Sequence, residues 1–148
     1  MALRIHVEGD EPEVGALANL APHAHWLLRI ALASVFLYHG LQKFLGHGIG
    51  AFAQMMGLPP TIAGTVAVIE ALAGAGIIAG ATAPGRLGDI ATRISGLAIL
   101  PVMLGAIALV HWGQWSFAAT PTHPLGGMEF QVVLALLGLY FAVRGNGA

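Results

Sequence analysis

A handful of ionisable side chains stand alone in otherwise apolar sequence. His39 and Lys43 fall in WLLRIALASVFLYHGLQKFL (Trp26 to Leu45), Glu70 interrupts an apolar run, His111 closes another, and Glu129 opens a fourth. Charged groups in hydrocarbon are costly, so each must turn toward protein or a wet cavity, and each becomes a candidate functional group. A carboxyl group paired with an imidazole or an ammonium lowers one barrier to burial and leaves a group able to titrate near neutrality. That suits the taking or giving of a proton as a quinone is reduced or a quinol oxidised. On this reading Glu70 and His39 exchange protons, Lys43 stands near the entrance, Tyr38 and Phe36 flank the ring, and His111 and Glu129 complete the binding residues.

Depth arithmetic brings these residues to one level. His39 lies 13 residues past Trp26, roughly 20 Å from the inner edge at ~1.5 Å per residue, and Lys43 about 6 Å further. Glu70 lies about mid-depth in a helix descending from the outer face. His111 ends an ascending helix and Glu129 begins a descending one, so all five occupy the outer half. The expected partners of Glu70 are His39, Tyr38 and Lys43, with Gln42 as an extra amide.

Plainer roles fit the same residues. His39 also suits an interhelical hydrogen bond, His111 beside Trp112 an interfacial position, and Glu129 the N-terminal end of a helix dipole. Arg29 and Arg93, near the inner edge, are expected to snorkel to headgroups. His6, His23, His25, His47 and His123 fall in loops or tails.

The elements that must hold these groups follow from periodicity. Arg29, Leu32, Phe36, His39 and Lys43 step by three and four along one face of a helix over about 25–45. Gly46 to Pro60 is too short and too punctuated by Gly and Pro to span; it reads as a short helix at the interface. A second long helix covers about 61–81, with Ala67, Ala71, Ala75 and Ala79 and a Gly76-to-Gly80 step as faces for close helix contact. After a turn over Ala83 to Asp89, a third covers about 90–111, its stripe running Arg93, Leu97, Leu100, Leu104, Ile107, His111, with a kink at Pro101. An aromatic loop with Trp112, Trp115 and Phe117 leads to a fourth over about 128–144. The expected fold is all-α, an integral membrane antiparallel four-helix bundle over residues 26–148, preceded by an acidic extension over 1–25 lying outside the membrane.

Composition agrees: 57% of the 148 residues are hydrophobic and only 9% charged, against about 25% in a soluble domain. The net charge of -1 and six scattered basic residues make no surface for nucleic acid. Without cysteine there are no disulfides, thiolate metal centres or thiol nucleophiles, and the histidines and carboxylates lack the Glu-x-x-His step of di-iron bundles. No metal, haem or flavin signature is present, so electrons must come from a partner or a bound quinone. Arg4, Arg29, Arg86, Arg93 and Arg144 collect on one side and Lys43 on the other, which places both termini in the cytoplasm by the positive-inside rule.

The chain resembles the DoxX family of small bacterial and archaeal membrane proteins, related to the DoxD subunit of thiosulfate:quinone oxidoreductase. The resemblance spans Leu28 to Gly147. It rests on RIALASVFLYHGLQKF (Arg29 to Phe44), MGLP (Met56 to Pro59), IEALAG (Ile69 to Gly74), His111, and GGMEF (Gly126 to Phe130). It implies four membrane helices and a quinone-linked oxidoreductase role in the cytoplasmic membrane beside partner membrane or peripheral redox subunits, with a homo-oligomer as a further option. The matching positions are Arg29, His39, Gly40, Lys43, Glu70, His111 and Glu129. A non-catalytic accessory or assembly subunit, packing on a larger complex, is the alternative; a proton channel is a third, opposed by the lack of a polar path through the inner halves of the helices.

Overall fold

The computed structural model describes Gly15 and residues 18–147. The acidic Glu8, Asp10, Glu11 and Glu13 of the expected extension lie outside the described residues. A short 3₁₀ turn leads into five helices: α1 (His25–Leu45), α2 (Gly48–Met56), α3 (Pro60–Thr82), α4 (Gly85–Ala106) and α5 (Glu129–Arg144), and the described residues contain no strand. Three helical stretches, Ala18–Leu45, Pro60–Thr82 and Gly85–His111, are long and apolar enough to cross a bilayer. Leu27, Leu72, Ile94, Leu97, Leu104 and Val143 all face outward and exposed, as expected of a multi-pass membrane protein whose solvent is lipid.

Neighbouring long helices run antiparallel, and small residues set how closely they meet. On α1, a Cβ at Gly40 would lie 2.6 Å from the backbone nitrogen of Ala71 on α3, so only glycine permits this crossing. Gly76 and Gly80 of α3 receive Ser95 and Thr92 of α4. The GxxxG step is therefore spent inside the molecule. Between these contacts Leu32, Phe36, Ile77, Ile99, Met103, Leu134 and Phe141 form the core.

Several expectations change. Helix α4 begins at Gly85, not near Ile90, because Pro84 holds an extended conformation at its N-cap and a Cβ at Gly88 would lie 2.6 Å from the Gly80 carbonyl oxygen. The glycines of APGRLGD thus serve a helix crossing, and the turn shrinks to two residues. The Ala67 to Ala79 face also splits: Ala67 is buried and Ala71 half-buried, whereas Ala75 and Ala79 are exposed.

The expected α4 stripe breaks as well, since Leu97 and Leu104 face outward while Thr92, Ser95, Ile99, Val102 and Met103 point inward. The helix runs through Pro101 and then widens into a π-helical turn over Ile107–His111. A wider turn shifts the phase of the side chains. It carries Ile107 and His111 to the inside.

At the other end of the molecule, Arg29 is buried at 1% exposure and does not snorkel. Its guanidinium donates to the Ile77 carbonyl (2.5 Å), Thr92 Oγ1 (3.1 Å) and Asn146 Oδ1 (2.7 Å), and lies 4.8 Å from the centre of the Phe141 ring. The C-terminal ends of α3 and α5 converge here, so their exposed carbonyl dipoles favour the cation. Asn146 ties the ends together, donating its Nδ2 to Gly80 O (2.7 Å) and its backbone N–H to Asp89 Oδ1 (2.8 Å). Arg93 is likewise occupied, donating to Asp89 and to the last carbonyls of α5.

Candidate functional site

The opposite half of the molecule opens into a cavity of about 420 Å³ bounded by all five helices. Most of its wall is apolar. Five polar side chains reach it: His39 and Lys43 from α1, Glu70 from α3, His111 from the π turn and Gln131 from α5. Volume and composition are those of a small-molecule pocket, apolar walls with a few convergent polar groups.

Lys43 and Glu70 form an ion pair on one wall, with side chains only 12% and 8% exposed. Antiparallel packing at Gly40 and Ala71 brings the two residues level, one turn further along α1 and one residue back along α3. The Lys43 ammonium also donates to the His39 carbonyl at 3.2 Å and sits 4.6 Å from the centre of the Phe52 ring on α2. Burial, a carboxylate, a carbonyl and an aromatic face together replace the water that a membrane-buried cation has lost. His39 makes no side-chain hydrogen bond among the described residues; its ring shares the cavity with Glu70, and only its backbone carbonyl accepts from Lys43.

On another wall, His111 is held at both nitrogens. Its Nδ1 lies 2.8 Å from the Gly126 carbonyl, and its Nε2 lies 3.0 Å from Gln131 Nε2. A carbonyl only accepts, so Nδ1 carries the proton and donates to Gly126, while the Gln131 amide donates to Nε2. Gln131 Oε1 is left buried with no partner among the described residues. Such an acceptor costs roughly 1–3 kcal/mol, which a polar ligand or a water could recover if the amide swung toward it.

The GGMEF stretch exists to present that carbonyl. Gly126 has φ +79°, and a Cβ on Gly127 would lie 2.6 Å from Ser116 O. Without side chains at both positions, the aromatic loop folds across, with Gly127, Met128 and Glu129 donating backbone bonds to Ser116, Gln114 and Trp115. Glu129 is consumed here: its Oε2 accepts from Phe117 N at 3.3 Å.

Of the residues singled out from sequence, Phe36, His39, Lys43, Glu70 and His111 line the cavity. Tyr38 and Glu129 do not. Tyr38 is 62% exposed, its ring edge-on to His39, because residue 38 falls on the outer face of α1 between inward Phe36 and Gly40. Sequence reasoning missed Gln131, whose signal was present: it continues the inward series Leu134, Gly138, Phe141 at helical spacing. Among the described residues no three His, Asp or Glu side chains gather as metal ligands.

A family model described as DoxX matches residues 24–112. That range takes in α1 to α4 and His111 but stops short of the GGMEF stretch and α5. A protein of Bacillus subtilis (strain 168) named "Putative oxidoreductase CatD" is 31% identical over 121 residues, covering 81% of this chain and 78% of its own length. No solved structure matches the chain.

Proposed function

Because this chain belongs to the DoxX family, we propose that it is a membrane subunit of a redox complex whose cavity takes the ring of a quinone or quinol. The observation that carries the reading is the convergence of Glu70, Lys43, His39, His111 and Gln131 on one mainly apolar space of about 420 Å³. The oxidoreductase name of the Bacillus subtilis relative points the same way. The residues fit the group: Phe36 and Val35 offer apolar contact to a ring, Lys43 a donor, and His111 with Gln131 a second polar edge on another wall.

When bound, the quinone supplies two-electron redox chemistry, with the electrons passing to or from a partner subunit. This chain holds and moves the protons. Glu70, paired with Lys43, passes a proton to or from the ligand when the ammonium turns toward it. His39, exposed at the cavity wall, exchanges that proton with the outside. Four spans, with α5 as the last, would place both termini in the cytoplasm and the cavity in the outer half of the cytoplasmic membrane. A homo-oligomer is compatible with this arrangement.

Purified protein in nanodiscs, titrated with a short-chain ubiquinone and followed by tryptophan quenching, tests the reading. Saturable binding that Glu70→Gln weakens supports it; the lack of saturable binding by the unmodified protein sinks it. One observation favours the alternative of a non-catalytic accessory subunit: Glu70 already has its counter-ion in Lys43, as a device that only fixes helix register would require. On that reading, apolar replacement of both residues preserves the activity of the complex.

A further inference from the structure

The His111 wall of the cavity has a fixed polarity, and three groups in series set it. The Gly126 carbonyl can only accept, so it holds the His111 proton on Nδ1, 2.8 Å away. The lone pair of Nε2 then meets the Gln131 amide at 3.0 Å, and only the nitrogen end of that amide can face it. The reverse orientation would set Oε1 against Nε2, acceptor against acceptor. No tautomer of the ring relieves that clash while Gly126 O keeps its bond. The amide accordingly leaves Oε1 buried with no partner among the described residues. Its nitrogen carries two hydrogens; His111 takes one, and the other has no partner among the described residues.

We propose that Gln131 selects the oxidation state of the ligand: its second amide hydrogen donates to a ring carbonyl of the quinone, whereas a quinol hydroxyl finds no free acceptor on this wall. To reach His111 Nε2 or Gln131 Oε1, that hydroxyl must break the bond between the two residues. This rests on the reading given above and adds to it the redox form that the site prefers and the residue that imposes the preference.

The opposite wall cannot make the choice. There Lys43 has three ammonium hydrogens, of which Glu70 and the His39 carbonyl engage two, and the Glu70 carboxylate has a second oxygen. A donor and an acceptor side by side serve a carbonyl and a hydroxyl alike. On the His111 wall Gly126 is buried and outside the cavity lining, and Nε2 is already occupied. The three groups come from separate elements, the loop, the π turn after α4 and the first turn of α5, so the polarity belongs to the fold and not to one segment.

The test compares a short-chain ubiquinone with its reduced quinol, under argon, on the full chain in nanodiscs. Gln131→Met keeps an unbranched side chain, deletes the donor and uncovers the Nε2 lone pair. Quinone binding should weaken about five- to tenfold, for the loss of one hydrogen bond, while quinol binding stays within about twofold or tightens. The midpoint potential of the bound couple should then rise by about 20–30 mV, at ~30 mV per tenfold for two electrons. A side chain that serves only packing weakens both redox forms alike. That outcome, or no effect on either form, overturns the proposal while leaving the ring site standing. If neither form binds the unmodified protein, the quinone reading fails and takes this inference with it.

A measurement on the unmodified chain guards against a variant that misfolds. With ¹⁵N-glutamine labelling, the Gln131 side-chain amide is one of four and is identified by its contact with the His111 ring. One of its two amide protons should shift as quinone is added and return when the quinone is reduced in place. Saturating quinone that moves neither proton, or quinol that moves one as far, overturns the assignment.

Discussion

Replacing Lys43 and Glu70 singly and together separates what the ion pair does for the fold from what it does in the cavity. Lys43→Met leaves a carboxylate, and Glu70→Met an ammonium, with no counter-ion at a site where the paired side chains are 12% and 8% exposed. An uncompensated charge near the middle of a membrane helix costs about 2.5–3.5 kcal/mol, and breaking a buried pair about 3–5 kcal/mol. The adjoining cavity admits some water, and Glu70 can protonate, so each single variant should lose about 3 kcal/mol. At ~2–4 °C per kcal/mol for a chain of this size, that is a fall in Tm of about 6–12 °C in detergent. The double variant buries no charge and substitutes chains of similar volume, so it should return to within about 1 kcal/mol of the starting protein. The resulting coupling energy, about 5 kcal/mol, is far above the ~0.5 kcal/mol scatter of independent sites. Single effects that simply add would refute the reasoning. The double variant should also be folded yet bind quinone poorly; undiminished binding would remove Glu70 and Lys43 from the site and favour the accessory reading.

Other perturbations follow from the packing. Gly105→Leu extends into open space and should leave Tm within ~2 °C while abolishing saturable quinone binding; retained binding would move the site elsewhere. Gly40→Val forces a Cβ to within 2.6 Å of the Ala71 backbone, so it should cost about 1–3 kcal/mol by overpacking, read as a lowered Tm with weakened quinone binding because Lys43 is carried off Glu70. Asn146→Ala removes the partner of Arg29 Nη2 and Thr92 Oγ1 and the donor to Gly80 O; a loss of about 3 kcal/mol is expected from one charged and two neutral hydrogen bonds. Gly126→Ala places a side chain at φ +79°, which should cost ~1–3 kcal/mol. It should also release His111 Nδ1 from its carbonyl, visible as a mixed tautomer in the imidazole ¹⁵N spectrum, whereas an unchanged spectrum would refute the role given to Gly126.

The residue pattern by itself determined the helices and their solvent. Long apolar runs with few charges admit no other backbone arrangement in lipid, since every N–H and C=O must pair within its own segment. The long helices were therefore legible, and so was the suspicion that Glu70, isolated in oil, needs a partner nearby. Which partner it takes depended on the crossing of α1 and α3: the absent side chain of Gly40 lets the backbones close until Lys43, and not His39, meets the carboxylate. The end that holds Arg29 was misjudged for a related reason. Arg29 looked like a snorkelling residue because the convergence of two helix C-termini and of Asn146, 117 positions away in the chain, leaves no trace in local spacing.

Phase was the other thing hidden from periodicity. A sum of three- and four-residue steps cannot foresee a π turn, and that turn, following the outward-facing Leu104, carries Ile107 and His111 to the inside. Tyr38 and Gln131 were legible in helical spacing, the one on the outer face of α1 and the other in line with Leu134, Gly138 and Phe141, whereas Glu129 is drawn off by a bond to Phe117 N that the loop alone creates. Sequence determined which groups are too costly to leave unpaired in a membrane; only the packing of small residues between helices decided which of them share a space, because contact distance is a property of two backbones at once.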